Sequence, residues 1–142
     1  MDNSILISRY VQSILEEAPE IKAILGENTN KIFTLLQEST EENPLTYPYI
    51  VHSRESLTTT YSKDFELGMG GWFNTIQYKI LCVSDDYESG LNLANAVRHS
   101  IETYRLKNDE IFIHPIKVYN ITEYTTQVDE YVQDIQLTIV VQ

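Results

Sequence analysis

Cysteine occurs once in this 142-residue chain, at Cys82, so no disulfide can form within it and the redox compartment is left open. The thiol sits in the apolar run Ile80-Leu81-Cys82-Val83 with no activating partner close in sequence, which points to a buried, inert side chain. Basic residues are scarce as well: Lys and Arg total 10 against 21 Asp and Glu, for a formal charge of −11. Non-specific affinity for nucleic acid comes largely from cationic side chains that release counterions, so specific or broad binding to a phosphate backbone is not expected. No stretch reaches bilayer-spanning length, and Met1-Asp2-Asn3-Ser4 has no basic segment ahead of an apolar core. The expectation is a protein without membrane contact, made in the cytoplasm.

Clustered metal ligands are also lacking. His52, His99 and His114 fall in three different segments, none with a second His, Cys or Asp at ligand spacing. The sequence pattern places His99 on the polar flank of a helix, His114 at a bend before Pro115, and His52 facing outward from a strand. Asp85-Asp86 and Glu16-Glu17 are helical neighbours that do not face each other, and Glu41-Glu42 lies in a polar turn. Acid–base chemistry needs carboxylates that converge on one cleft, and a small hydrolase would have to assemble such a cleft from these pieces. The reading is therefore non-enzymatic, with no catalytic residue, cofactor or metal.

What is present is a regular order of periodic segments. At 42% hydrophobic, 142 residues suffice for one core, so residues 1–142 are expected to form a single domain. A first helix starts at a cap drawn from Asp2, Asn3 or Ser4 and carries Ile7, Val11, Ile14, Leu15 and Ala18 on one stripe. Pro19 is a stop signal, while Ile21, Ile24 and Leu25 permit a further turn closed by Gly26. Ile32 to Leu36 makes a short strand, and Tyr47-Pro48-Tyr49-Ile50-Val51 opens another that runs toward Tyr61, with Pro48 confined to its start or to an edge.

The third strand is the clearest central one: Asn74, Ile76, Tyr78, Ile80 and Cys82 alternate with Thr75, Gln77 and Lys79. A second helix then begins with Asp85 as cap and Glu88 reaching back, and shows Tyr87, Leu91, Ala94, Val97, Ile101 and Tyr104 as its apolar stripe. Gly90 and Ala94 let it approach the sheet, and Arg105 and Lys107 complement its far end. Ile111-Phe112-Ile113 leads into Ile116 to Tyr119, residues 122–129 form a connection with strand character near its ends, and Tyr131 to Val141 alternates as a last strand. That strand has an apolar face and few charges, so it needs a central place in the sheet or a partner chain on its edge. The pattern predicts an α+β fold, with two helices on one face of a four- to five-stranded, mainly antiparallel sheet.

The loop from Ser62 to Trp72 holds Gly68-Met69-Gly70-Gly71, but no Lys-Ser or Lys-Thr follows and a strand comes next, so it offers no phosphate cradle. It reads as a hairpin tip or as an assembly arm, since Phe65, Leu67, Met69 and Trp72 put apolar bulk on an otherwise polar loop.

Four segments together resemble the tail-completion and tail-terminator proteins of long-tailed bacteriophages and prophages. They are the N-terminal helix, the strand start at Tyr47-Pro48-Tyr49-Ile50-Val51, the strand Gln77 to Ser84 running directly into the helix with Ala94, Val97 and Ile101, and the closing strand Asp134 to Ile139. The resemblance covers most of the chain. It implies a virion tail component, assembled in the host cytoplasm, that forms a homo-oligomeric ring, typically a hexamer. Such a ring caps the tail-tube protein and meets the head-connector proteins, and an acidic lumen would let DNA pass without adhering. The rival class is a monomeric or dimeric binding or regulatory module of the same shape.

Overall fold

The computed structural model describes residues 7–26, 31–34, 46–61, 72–103 and 116–141. In chain order these form helices α1 (Ile7–Glu17) and α2 (Pro19–Leu25), strands β1 (Ile32–Thr34), β2 (Tyr49–Tyr61) and β3 (Trp72–Ser84), helix α3 (Tyr87–Thr103), and strands β4 (Lys117–Thr125) and β5 (Tyr131–Val141). The strands make one sheet in the order β1-β2-β3-β5-β4, antiparallel throughout except for the parallel pair β1 and β2. The α+β class and the mainly antiparallel sheet agree with the sequence pattern.

Among the described residues three helices stand where two were predicted. Pro19 has no amide to donate, so the first helix stops after Glu17 and the chain restarts with proline in its first turn, where a missing donor is harmless. Ala18 bridges the two pieces, its amide bonded to Ile14 O at 3.1 Å and its carbonyl accepting from Lys22 N at 3.1 Å. Gly26, at φ 84°, closes α2. The cap of α3 also lies one residue later than predicted. Asp86, not Asp85, accepts from Ser89 N at 3.2 Å and Ser89 Oγ at 3.0 Å, and Ser84 Oγ accepts from Asp86 N at 3.1 Å.

Strand register sorts the side chains. Ile50, Ile76, Tyr78, Ile80, Cys82, Ile135, Leu137 and Ile139 share one face and pack against Val11, Leu15 and Ile21 of the first two helices and against Leu93, Val97 and Ile101 of α3. Each large apolar side chain buried there contributes roughly 1.5–3 kcal/mol. The buried stripe of α3 is Gly90, Leu93, Ala94, Ala96, Val97, Ser100 and Ile101, so it is rotated from the predicted one, and Tyr87 is exposed. On the opposite face Tyr49, Val51, Val83 and Val132 form a smaller cluster with Phe33 and Leu81, while Gln77, Lys79, Gln136 and Thr138 occupy the polar remainder.

β5 lies between β3 and β4, which satisfies its ladder on both sides and answers the demand that its apolar face made. The edge therefore passes to β4, nine residues long and exposed at all but Val118. β4 continues to Thr125, so the first half of the predicted connection is strand, and the turn is confined to residues 126–130. There Asp129 N donates to Thr126 O at 3.2 Å with Asp129 at φ 59°, a left-handed position that a short polar side chain tolerates. The predicted features at Asp2, Asn3, Ser4, Leu35, Leu36, Tyr104, Arg105, Lys107, His114 and the run Ile111 to Ile113 lie outside the described residues.

Candidate assembly surface

The first polar arrangement is internal and corrects the placement of His52. Strand alternation puts it on the same face as Ile50, and it is wholly buried instead of facing outward. Its Nδ1 lies 2.5 Å from Tyr78 Oη, and its Nε2 bonds Gln12 Oε1. Gln12 Nε2 in turn donates to Glu16 Oε1 at 2.7 Å and to Ile32 O at 3.3 Å. An amide oxygen can only accept, which assigns the proton to His52 Nε2 and makes Nδ1 the acceptor from Tyr78. Burial holds the imidazole down at about 4 and pushes the Tyr78 phenol up to about 12, with a hydrogen bond from Ser8 opposing the latter.

This directed chain, Ser8 to Tyr78 to His52 to Gln12 to Glu16, pins α1 across β2 and β3. It does not resemble a catalytic relay. Both ring nitrogens of His52 are engaged, so no lone pair is free to take a proton from a substrate. His99 sits on the exposed flank of α3, as predicted, 3.4 Å from Glu20 Oε1. Among the described residues no group of three His, Cys, Asp or Glu side chains could hold a metal ion, and no helix is long and apolar enough to cross a membrane.

The second arrangement is external. At the end of the sheet where β2 begins and the β4–β5 hairpin turns, tyrosines and carboxylates meet. Tyr47 and Tyr49 both donate to Glu130 Oε2, at 2.9 and 3.1 Å, and Thr126 Oγ1 donates to Glu130 Oε1 at 3.1 Å. The bond to Glu130 raises the Tyr47 phenol, and burial raises that of Tyr49. Phe33, Tyr49 and Tyr47 pack ring to ring at 6.0 and 5.7 Å.

Across the hairpin, Tyr87 Oη contacts both oxygens of Glu123 at 3.1 and 3.0 Å, and Gln133 Nε2 donates to Glu123 Oε2 at 2.8 Å. These bonds, Gln133's first, hold the Glu123 carboxyl below the usual range. The Tyr87 ring meets Tyr131 edge to face at 5.9 Å. Together with Tyr124 they line a cleft of about 310 Å³. Tyr119 (55% exposed), Ile121 and Val128 (73% exposed) extend the apolar surface along β4 and the turn.

Exposed tyrosine in quantity is what partner-binding surfaces are built from, because it offers large contact area at low entropy cost. No local sequence pattern marks these residues as one surface. They come from four separate segments, and the available signal was the total of 10 tyrosines. Of the arm residues, Phe65, Leu67 and Met69 lie outside the described residues, and the backbone of Trp72 pairs with Tyr61 at the distal end of β2 and β3.

The fold is shared with a solved structure: a chain from the virion of a native gene transfer agent (GTA) particle superposes with a TM-score of 0.73, covering 92% of this chain and 90% of that one. The two are 14% identical, so the likeness is one of fold. No protein-family model and no curated protein matches the sequence.

Proposed function

We propose that this chain is a structural subunit of a phage-like virion that forms a ring, with six subunits expected, terminating the tail tube and contributing to the head–tail joint. The observation that carries the reading is the fold shared along nearly the whole chain with a component of a virion particle. Three features support it. The edge of β4, unpaired among the described residues, and the tyrosine-rich end beside it suit contact with other chains. Cyclic symmetry uses such unlike surfaces productively by joining each to a different surface of the next copy. The formal charge of −11 suits a lumen through which DNA passes without sticking.

In this reading Phe65, Leu67, Met69 and Trp72 are the assembly arm, the tail-tube protein and head-connector proteins are the partners, and neither catalysis nor a cofactor is required. Electron microscopy of the protein mixed with assembled tail tubes tests it. A cap of density at one tube end supports the proposal, and bare ends with free monomer or dimer favour a binding module instead.

A further inference from the structure

We propose that the cleft between the start of α3 and the β4–β5 hairpin receives an arginine side chain from a partner protein. Its floor and walls suit a planar cation. Tyr87 and Tyr131 supply aromatic surface, and Glu123 supplies a carboxylate at the rim. That carboxylate is fixed before any partner arrives: Gln133, itself buried, holds it at 2.8 Å and Tyr87 holds it at 3.0 Å. It is held only by neutral donors, and among the described residues no basic side chain forms an ion pair with it.

A guanidinium stacks on phenol rings while its N–H groups fork onto a carboxylate, which an ammonium does less well. The setting selects a protein over a free small molecule. Exposed Ile121 lies two residues before Glu123 on the same face of β4, and exposed Val128 lies in the adjoining turn, so a partner that inserts an arginine would continue its contact along the strand. The cleft lies within one subunit, so its ligand can be read independently of ring formation.

The test is an NMR titration of the full chain with a blocked Gly-Arg-Gly peptide and with its citrulline counterpart, which keeps the shape and removes the charge. Saturable shifts of the Tyr87 and Tyr131 ring resonances are expected with the arginine peptide. Binding should weaken roughly tenfold or more with citrulline, or when Glu123→Gln removes the charge, given that charge-assisted hydrogen bonds are about twice as strong as neutral ones. Glu102→Gln, on the exposed flank of α3, should leave it unchanged. Equal binding of the citrulline peptide, undiminished binding by Glu123→Gln, or no saturable shift would overturn the proposal.

Discussion

A neutral imidazole at position 52 is enforced by its surroundings, and this gives the protein a definite response to acid. His52 is faced by Tyr78 and Ser8 on one side and by Gln12, itself bonded to Glu16, on the other. In the unfolded chain the ring takes up a proton near pH 6.5, whereas in the folded protein it does so only near 4. Between those values the unfolded state holds more protons, so stability is complete above pH 6.5 and is lost as pH falls toward 4, by roughly 2–3 kcal/mol. Urea unfolding of wild type and His52→Gln at pH 7 and pH 4.5 should show the wild-type advantage shrinking at the lower pH. A gap that stays constant would mean that the ring is not buried neutral. Cys82 makes a simpler case. Burial raises its thiol far above the ordinary value, so thiol reagents should label it only after unfolding. Cys82→Ser should cost about 1–3 kcal/mol from a hydroxyl without a partner in that apolar site, measured as a lowered urea midpoint.

At the level of elements, the parts of the fold legible in sequence were those with strong local periodicity. β3 alternates without interruption and lies where its pattern placed it, and of the two places that the apolar face of β5 allowed, the centre of the sheet or an edge covered by a partner chain, the strand takes the first. His52 was legible in principle, since period-two spacing from Ile50 puts both on one face; its polar side chain argued for the surface, and only the long-range meeting with Gln12 and Tyr78 makes burial tolerable. The α3 cap was misplaced because Asp85 and Asp86 are chemically equivalent, and Ser84 decides between them through a backbone contact that composition does not reveal. The tyrosine–carboxylate surface was not legible at all, being assembled from residues distant in sequence by the order of the strands.

Two predictions belong to this scale. A Cβ at Gly90 would meet Ser84 Cβ at 3.6 Å, an ordinary contact, so close approach does not require glycine there. Gly90→Ala should stabilise the protein by roughly 0.5–1 kcal/mol through helix propensity, and a lowered melting temperature would show that α3 sits closer to the sheet than this. The proposed assembly arm gives the second. Leu67→Asp combined with Met69→Asp should leave urea stability near wild type and abolish capping of tail tubes, whereas capping that survives would remove these residues from the assembly surface.

For the whole molecule, the described residues form one sheet with one helical layer, a β4 edge unpaired among those residues and an exposed tyrosine-rich end, in a chain of acidic composition. Closed cyclic assembly is the proposed use of those surfaces. Stoichiometry in the presence of tail tubes is the most direct measure of that use, because a subunit that waits for the tube can remain monomeric alone. Native mass spectrometry of the protein released from purified tube ends, set beside the protein alone, should give a species of six subunits in the tube-bound sample. A protein that stays monomeric or dimeric with tubes present, and is not retained at their ends, would contradict the ring.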